Sequence, residues 1–217
     1  MSELKEKVAN AVIAYIGDHQ IIGVGTGSTV NYFIKALAKI KHRIDACVPS
    51  SKATERLLRD LKIPVIDLNV AGEVAIYIDG ADEVNAACET IKGGGGALTR
   101  EKIIATAAQQ FICIVDDSKV VKQLGQFPVA VEVIPLARSF VARALVKLGG
   151  DPCYREGFVT DNGNIILDVF NMNIASPMDL EDAINLIPGV VDNGLFGRRL
   201  ADVVLVATAN GVERIGD

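Results

Sequence analysis

The chain has 217 residues, half of them hydrophobic, and a formal net charge of −5 at pH 7. A chain of this length buries about 70% of its unfolded surface, as one large domain or two small ones. The negative charge argues against a nucleic-acid partner, because binding a phosphate backbone requires a broad basic surface. A charged N-terminus and the lack of an apolar run of about 18 residues predict a cytoplasmic protein without signal peptide or membrane span.

Histidine and cysteine are scattered along the sequence. His19 and His42 lie outside every catalytic-looking motif, so we expect both at the surface and expect no Ser-His-Asp triad. No Cys-x-x-Cys pair is present, which argues against a zinc site and against a disulfide framework. The cysteines are Cys47, Cys88, Cys113 and Cys153.

The first two-thirds of the chain alternates short β-rich runs with helical patterns. This alternation indicates βαβ units and a parallel sheet with helices on both faces, a Rossmann-like α/β fold. The predicted strands cover residues 20–24, 44–48, 65–67, 74–78 and 111–115. The predicted helices cover residues 2–16, 28–40 and 52–61, and a further helix follows the glycine run that ends at Gly96.

From about Phe127 the order of elements becomes β-α-β-β-α-β, which predicts a smaller ferredoxin-like α+β subdomain. Asn162-Gly163 supplies the positive φ values of a tight turn between its central strands. The apolar run 201–208 is typical of the first sheet, so the chain is expected to return there. We therefore predict a Rossmann-like catalytic domain of residues 1–126 and 199–217 and a subdomain of residues 127–198. The subdomain elements are strands 129–133, 152–155, 165–169 and 190–193 and helices 136–148 and 179–186.

A glycine-rich turn, Gly23–Thr29, stands between the first strand and the next helix. Its small residues, its hydroxyls and the amides of the helix N-terminus favour an anion. A dinucleotide fingerprint requires glycine where the chain has Ser28, and a Walker loop requires a Gly-Lys-Ser/Thr that is missing. A tight strand-to-helix turn with capping side chains stays an alternative.

A second motif, Asp79-Gly80-Ala81-Asp82-Glu83, follows the strand that ends at Ile78. Ligands bind outside the carboxyl ends of parallel strands, so these acids belong to the functional edge of the sheet. Asp79 and Asp82 bracket a small Gly-Ala pair that lets a substrate reach both carboxylates, whereas Glu83 is expected to be solvated or capping. A magnesium site is a weak alternative, since nothing else resembles its ligand set.

The third motif joins Lys92 to four consecutive glycines and then to a helix that carries Glu101. Such a run weakens any regular element and is useful mainly where backbone approaches a ligand closely. The first turn of the helix favours an anion, and phosphate is the obvious candidate. A flexible linker is the alternative. A local cationic pocket would have to overcome the global negative charge, and it could be supplied by Lys92, Arg100, Lys102 and Lys119.

Together the motifs offer hydroxyls and amides for a phosphate, carboxylates for sugar hydroxyls, a lysine, and a glutamate at a helix start. They offer neither a metal ligand set nor a cysteine or histidine nucleophile. This inventory favours proton transfer next to a carbonyl, in which one base moves a proton between neighbouring carbons while a cation stabilises the enediolate.

With these three motifs in this order and spacing, the chain closely resembles ribose-5-phosphate isomerases of the A type. The resemblance continues through Phe127-Pro128-Val129 and Thr160–Asn164 and covers essentially the whole chain. It implies a cytoplasmic, metal-independent homodimer or homotetramer of the pentose phosphate pathway that interconverts D-ribose 5-phosphate and D-ribulose 5-phosphate without a cofactor. Relatives often carry alanine at the position of Gly96, and we expect glycine there to loosen the loop.

The resemblance also implies roles for individual residues. Glu101 would be the general base and Lys92 would stabilise the oxyanion, while Asp79 and Asp82 would contact the sugar hydroxyls and assist ring opening. A helix N-terminus and nearby cations weaken Glu101 as a base, so we expect substrate binding to exclude water and restore its basicity. Which motif holds the phosphate stays open. The remaining substrate-binding residues that the resemblance implies are Thr26, Gly27, Ser28, Thr29, Gly80, Ala81, Gly93, Gly94, Gly95 and Lys119.

Two other function classes compete with this reading. A phosphosugar-sensing domain without catalytic activity would share the fold, but no basic helix-turn-helix precedes residue 20, and Glu101 with Lys92 exceeds the needs of a sensor. A nucleotide-dependent oxidoreductase is the more distant alternative, because the dinucleotide fingerprint is incomplete.

Overall fold

The computed structural model describes residues 2–18 and 20–216. His42 is exposed as expected, whereas the prediction for His19 lies outside the described residues. The chain divides into a first unit of residues 1–81, 100–120 and 201–217 and a second unit of residues 82–99 and 121–200. The domain boundaries at residues 126 and 198 stay a prediction.

The secondary structure contains short 3-10 turns besides helices and strands. In chain order, the helices are α1 (Ser2–Ala11), α2 (Ser28–Leu37), α3 (Lys52–Asp60), α4 (Leu68–Ala71), α5 (Leu98–Ala107), α6 (Arg138–Lys147) and α7 (Pro177–Asn185). The strands are β1 (Gln20–Val24), β2 (Ile44–Pro49), β3 (Val74–Asp79), β4 (Glu83–Val84), β5 (Thr90–Ile91), β6 (Ala108–Asp116), β7 (Val129–Val133), β8 (Asp151–Tyr154), β9 (Ile165–Phe170), β10 (Val190–Asn193), β11 (Leu195–Phe196), β12 (Val203–Thr208) and β13 (Gly211–Ile215). The 3-10 turns are Val12–Tyr15, Ala38–Arg43, Asp117–Lys119 and Pro135–Ala137.

The first unit is built on a six-stranded sheet in the order β13-β12-β6-β3-β1-β2. Neighbouring strands from β12 to β2 are parallel, and β13 joins the edge antiparallel to β12. Apolar side chains one and two turns apart on α2, such as Val30, Phe33 and Leu37, are fully buried in the core with those of the strands. The mostly parallel sheet with surrounding helices confirms the predicted fold class.

The register of this sheet brings the predicted site residues of the first unit to one edge. β1 and β3 pair directly, with Val24 opposite Ile78, and β3 pairs with β6. Because parallel strands end at the same edge, the residues that follow β1, β3 and β6 meet there.

The predicted strand at residues 65–67 is wrong. Val65 forms only an isolated parallel bridge with Cys47. The side chain of Asp67 already caps α4 by accepting a hydrogen bond from the amide of Asn69. The segment is therefore too short to form a strand. The exposed edge strand β13 was not predicted, because its sequence lacks an apolar run.

The second unit contains a four-stranded antiparallel sheet in the order β10-β7-β9-β8, with α6 and α7 in the predicted β-α-β-β-α-β order. The inward side chains Val129, Val131 and Val133 of β7 form its core with residues of both helices. A separate three-stranded sheet, β11-β5-β4, was not predicted, since its two-residue strands are too short to show a pattern. Across the described ranges of the chain, no helix is long and apolar enough to span a membrane.

Gly96 is fixed by its surroundings, which corrects the expectation of a looser loop. Its φ is +75°, and its amide donates to the carbonyl of Gly93 at 2.9 Å. A Cβ atom at this position would lie 2.1 Å from Cζ of Phe158. A side chain here would need both a left-handed backbone and a displacement of the Phe158 ring, so both features favour glycine.

We predict that Gly96→Ala destabilises the protein more than Gly163→Ala. Gly163 also has a positive φ, of +84°, but a Cβ atom there would meet nothing within 4 Å. Both variants pay about 1–2 kcal/mol for a left-handed alanine, and Gly96→Ala adds an overpacking cost of about 1–3 kcal/mol. Urea denaturation measures the difference, and equal losses of stability would show that Phe158 does not constrain the loop.

Candidate active site

In the first unit, the turn after β1 is closed by the carboxylate of Asp79. The side chain is completely buried, and its Oδ1 accepts from the amides of Thr26 at 3.1 Å and Gly80 at 2.7 Å. A Cβ atom on Gly25 would lie 2.0 Å from that oxygen. The glycine-rich turn thus follows from the need to admit this carboxylate next to the backbone.

Tyr77 donates its hydroxyl proton to Oδ2 of Asp79 from the same strand. Burial is the main reason that its pKa lies well above 10.0, and the charges of Asp79 and Glu101 raise it further. The phenol is therefore a hydrogen-bond donor throughout the physiological range. Glu101, whose charge contributes to this raised pKa, stands in the first turn of α5 and is 3% exposed.

The hydroxyl of Thr26 belongs to a hydroxyl cluster at the end of β2. It lies 2.8 Å from the hydroxyls of Ser50 and Ser51 and 3.2 Å from that of Thr54. Thr54 donates in turn to the carbonyl of Gly25 at 2.7 Å. This cluster was not predicted, although Ser50 and Ser51, which closely follow the predicted strand 44–48, were a signal for it.

Ser28 begins α2, and the ammonium group of Lys5 donates to its Oγ at 2.8 Å. Gly27 precedes the helix with φ of +134°. Because Gly27 has no side chain, the space next to the first turn of the helix is open and its amides are accessible. A cation, hydroxyls and helix amides therefore meet at one helix end, as anion binding requires. Lys5, which lies on α1, was not among the predicted site residues.

Lys119 closes the 3-10 turn after β6, and its side chain is half-buried. Asp116, the last residue of β6, caps this turn by accepting from the amide of Ser118 at 3.2 Å. The parallel register places Lys119 beyond the carboxyl end of β6, at the edge where β3 ends with Asp79.

In the second unit, Asp82 and the glycine run are hydrogen-bonded to each other. The amide of Gly94 donates to Oδ2 of Asp82 at 2.8 Å, and the amide of Asp82 donates to the carbonyl of Ile91 at 2.8 Å. A Cβ atom on Gly94 would lie 2.7 Å from Oδ1 of Asp82. The second and third sequence motifs thus meet here through Asp82.

Lys92 follows β5 and is only 3% exposed. Its amide donates to the carbonyl of Gly194 at 2.9 Å, and its ammonium group lies 5.7 Å from the centre of the Phe196 ring. An aromatic face stabilises a cation that has lost water. Nearly complete burial of a lysine is rare, because its charge loses hydration.

Glu83 was expected to be solvated or capping, and it is not solvated, because only 4% of it is exposed. Its carboxylate accepts from the amide of Gly125 at 2.8 Å and from the amide of Phe127. It is therefore a loop anchor of the second unit rather than a surface acid.

A cavity of about 380 Å³ opens in the first unit next to α5. Arg100 lines it, and the charge of Arg100 adds to the hydrogen bonds from Asn69 that lower the pKa of Asp67. Arg100 was one of four cations expected to supply an anion pocket, but the residues named above for substrate binding do not line this cavity, so it is distinct from the predicted site. Its walls are formed by Val48, Pro49, Glu55, Arg59, Val65, Ile66, Asp67, Leu68, Asn69, Arg100, Ile103 and Ile104.

Residues 46–211 match the family described as Ribose 5-phosphate isomerase A (phosphoriboisomerase A). Ribose-5-phosphate isomerase A of Legionella pneumophila (strain Corby) is 73% identical over 215 residues, covering 99% of this chain and 100% of that protein. The crystal structure of ribose 5-phosphate isomerase A from Neisseria gonorrhoeae has a TM-score of 0.97 and 47% identity, covering 99% of this chain and 96% of that one. A D-ribose-5-phosphate isomerase in complex with phospho-erythronic acid has a TM-score of 0.94 and 38% identity, covering 99% and 98% of the two chains.

The family match covers well over half of the chain, and the relatives match it over nearly their full lengths. The chain belongs to the ribose 5-phosphate isomerase A family.

Proposed function

We propose that this chain interconverts D-ribose 5-phosphate and D-ribulose 5-phosphate, with Glu101 as the base and Lys92 as the cation that stabilises the enediolate. It is an aldose–ketose isomerase by family membership. The observation that carries the mechanism is the burial of Glu101 and Lys92, each 3% exposed, at the two ends of the glycine-rich segment. Acids and lysines are almost never buried to this extent without a structural or chemical role. The relatives reported above are named as isomerases, which favours catalysis over the phosphosugar-sensing alternative.

The reaction needs one carbon-bound proton to move between neighbouring carbons. Glu101 removes the proton from C2 of the open-chain aldose, the electron pair forms the C1–C2 double bond, and the C1 carbonyl oxygen becomes an oxyanion. Return of the proton to C1, with transfer of the O2 proton to O1, gives the ketose. Lys92 lowers the energy of the charged intermediate, because a preorganised cation in a water-poor site interacts strongly with developing charge.

The two aspartates are proposed to bind the sugar hydroxyls and to assist ring opening. Asp79 is held by Tyr77 and by the turn amides of Thr26 and Gly80, so its carboxylate is rigidly oriented. Asp82 is oriented by Gly94. Gly80 and Ala81 lie between these acids in the sequence, and neither carries a bulky side chain that would keep a sugar away from the backbone.

The phosphate is proposed to bind at the N-terminus of α2. Ser28 and Thr29 offer hydroxyls and amides there, and Lys5 brings an ammonium group to the Oγ of Ser28. A helix of ten residues directs its positive end at this point. We propose that Lys119 adds a further cationic contact and that Gly93–Gly95 contact the sugar end, where the amide of Gly94 already donates to Asp82.

We further propose a cytoplasmic, metal-independent homodimer or homotetramer that has no nucleic-acid or membrane partner. The net charge of −5 supports the absence of a nucleic-acid partner. No disulfide joins the described cysteines, as is typical of a reducing compartment. Self-association is supported by exposed apolar side chains of the second unit, namely Ile134, Leu136, Phe140 and Leu186.

The purified protein is tested with ribose 5-phosphate in the presence of a chelator, and ketose formation is followed by ultraviolet absorbance. Turnover without added metal or cofactor supports the proposal. A requirement for a divalent cation would contradict metal independence, and no turnover would contradict the reaction.

We predict that Glu101→Gln retains substrate affinity and loses turnover. The amide matches the carboxylate in shape but cannot accept the proton, so kcat should fall about 10²–10⁴-fold. Affinity is measured calorimetrically with phospho-erythronic acid, whose carboxylate resembles the shared charge of an enediolate. Glu55→Gln, on α3, is the control and should keep full activity. Near-normal kcat in Glu101→Gln would remove Glu101 from the mechanism.

We predict that Lys5→Met raises KM with little change in kcat, because the phosphate loses a charged contact far from the reacting carbons. Loss of a hydrogen bond to a charged group costs about 1.5–3 kcal/mol, or roughly a 10- to 100-fold rise in KM. Lys35→Met removes the same charge from the exposed last turn of α2 and is the matched control. Equal KM values for the two variants would place the phosphate elsewhere.

A further inference from the structure

Arg155 follows β8, and its guanidinium group donates hydrogen bonds to backbone carbonyl oxygens of the glycine run. Nη1 and Nη2 each donate to the carbonyl of Gly93 at 3.2 Å, and Nη1 donates to the carbonyl of Gly94 at 3.3 Å. The backbone of Arg155 is itself held by a hydrogen bond from its amide to the carbonyl of Ile166 at 3.0 Å. The contact therefore joins the glycine run to the four-stranded sheet.

The other edge of the same guanidinium is fixed by Asp168 on β9. Nε donates to Oδ2 at 2.8 Å and Nη2 donates to Oδ1 at 2.5 Å, in a bidentate pair. The side chains of both residues are less than one-fifth exposed, at 18% and 17%. The Phe158 ring centre lies 5.3 Å from Cζ of Arg155. A carboxylate, an aromatic ring and two carbonyl groups thus define one orientation of the guanidinium.

Only a guanidinium makes all these contacts. Its five N–H groups lie in one rigid plane, so one edge can pair with a carboxylate while the remaining donors reach the carbonyls. A lysine ammonium in the same place keeps the charge but cannot span both partners.

The contacts matter because four consecutive glycines lose much conformational freedom when they become ordered. Arg155 binds the carbonyls of Gly93 and Gly94, while Asp82 binds the amide of Gly94. These opposed contacts select one conformation of the run and neutralise the negative ends of two peptide dipoles. All of these contacts are made by groups of the protein itself.

We propose that Arg155, held by Asp168, is a positioning residue that orders the glycine run for substrate binding. This inference rests on the proposed role of Gly93–Gly95 in holding the sugar phosphate. A purely structural role would lower stability without a specific effect on these glycines or on substrate binding.

The test compares Arg155→Lys, Arg155→Ala and Asp168→Asn with Arg138→Lys as a matched control. Arg138 stacks on the ring of Tyr154 at 4.9 Å in the same unit. Steady-state kinetics, melting temperature and calorimetric binding of phospho-erythronic acid are measured for each variant. We expect Arg155→Lys to lower kcat/KM and analogue affinity about 10- to 100-fold, with a melting temperature close to that of Arg138→Lys. A kcat/KM within twofold of the unsubstituted protein would overturn the proposal.

Chemical rescue separates positioning from a general loss of structure. Methylguanidinium should restore part of the activity and of the analogue affinity of Arg155→Ala. Methylammonium should not, because it lacks the planar arrangement of N–H donors that a guanidinium group has. Equal effects of the two cations would overturn the proposal.

Hydrogen exchange of the peptide that covers residues 92–97 tests the ordering without any reaction. Exchange in the ligand-free protein should accelerate in Arg155→Ala and Asp168→Asn but not in Arg138→Lys. Unchanged exchange would reject the ordering role even if catalysis falls. An unsubstituted protein that fails to convert ribose 5-phosphate would instead reject the proposed function, and this exchange experiment would still decide whether Arg155 orders the run.

Discussion

The carboxylate of Asp79 closes the turn between β1 and α2 by accepting hydrogen bonds from the amide of Thr26 in that turn and from the amide of Gly80 after β3. A buried charge is costly unless it is hydrogen-bonded, so this carboxylate stabilises only the one turn conformation that surrounds it. Direct pairing of β1 with β3 brings the turn and Asp79 together, and the lack of a side chain at Gly25 leaves room for the carboxylate. Those residues of the proposed site that lie in the first unit therefore depend on the register of the sheet as well as on Asp79.

The second unit orders its loops by the same physical means. The carboxylate of Glu132, 1% exposed on β7, accepts hydrogen bonds from the side chains of Thr99, Thr160, Asn162 and Asn164. Glu83 binds loop amides in the same manner. Several loops are thus held by buried acceptors rather than by apolar packing. This arrangement gives each loop a direction that non-directional hydrophobic contacts cannot supply.

The sequence predicted those parts of the fold that arise from local periodicity. Strands 20–24 and 129–133 have the expected bounds, since apolar runs of that length define buried strands without help from distant residues. The segment at residues 65–67 failed because one bridge and a helix cap replaced a strand there. Strands of two residues, such as β5, carry too few side chains to form a pattern at all.

Glycines and acids that stand together in one motif were enough to propose Asp79, Asp82 and Glu101 as site residues, and these assignments stay predictions. Lys5 and Arg155 were not proposed, because each contacts its motif from a distant element and neither belongs to a recognisable pattern of its own. Sequence spacing gives no information about such contacts until the register of the sheets is known.

Local geometry also explains how an acidic chain can accommodate an anionic sugar phosphate. Screening limits the reach of surface charges to about 8–10 Å at ordinary salt, so distant acids contribute little at the N-terminus of α2. Lys5 and the helix amides act within hydrogen-bond range at that point. Lys92 acts differently, because its charge is buried and therefore poorly screened. Rigid backbone around such a charge increases its effect on a bound intermediate, since fixed dipoles need no reorganisation during the reaction. The hydrogen bonds of Arg155 to the carbonyls of Gly93 and Gly94 fix the backbone that follows Lys92, and in the proposed mechanism they support the electrostatic role of that lysine.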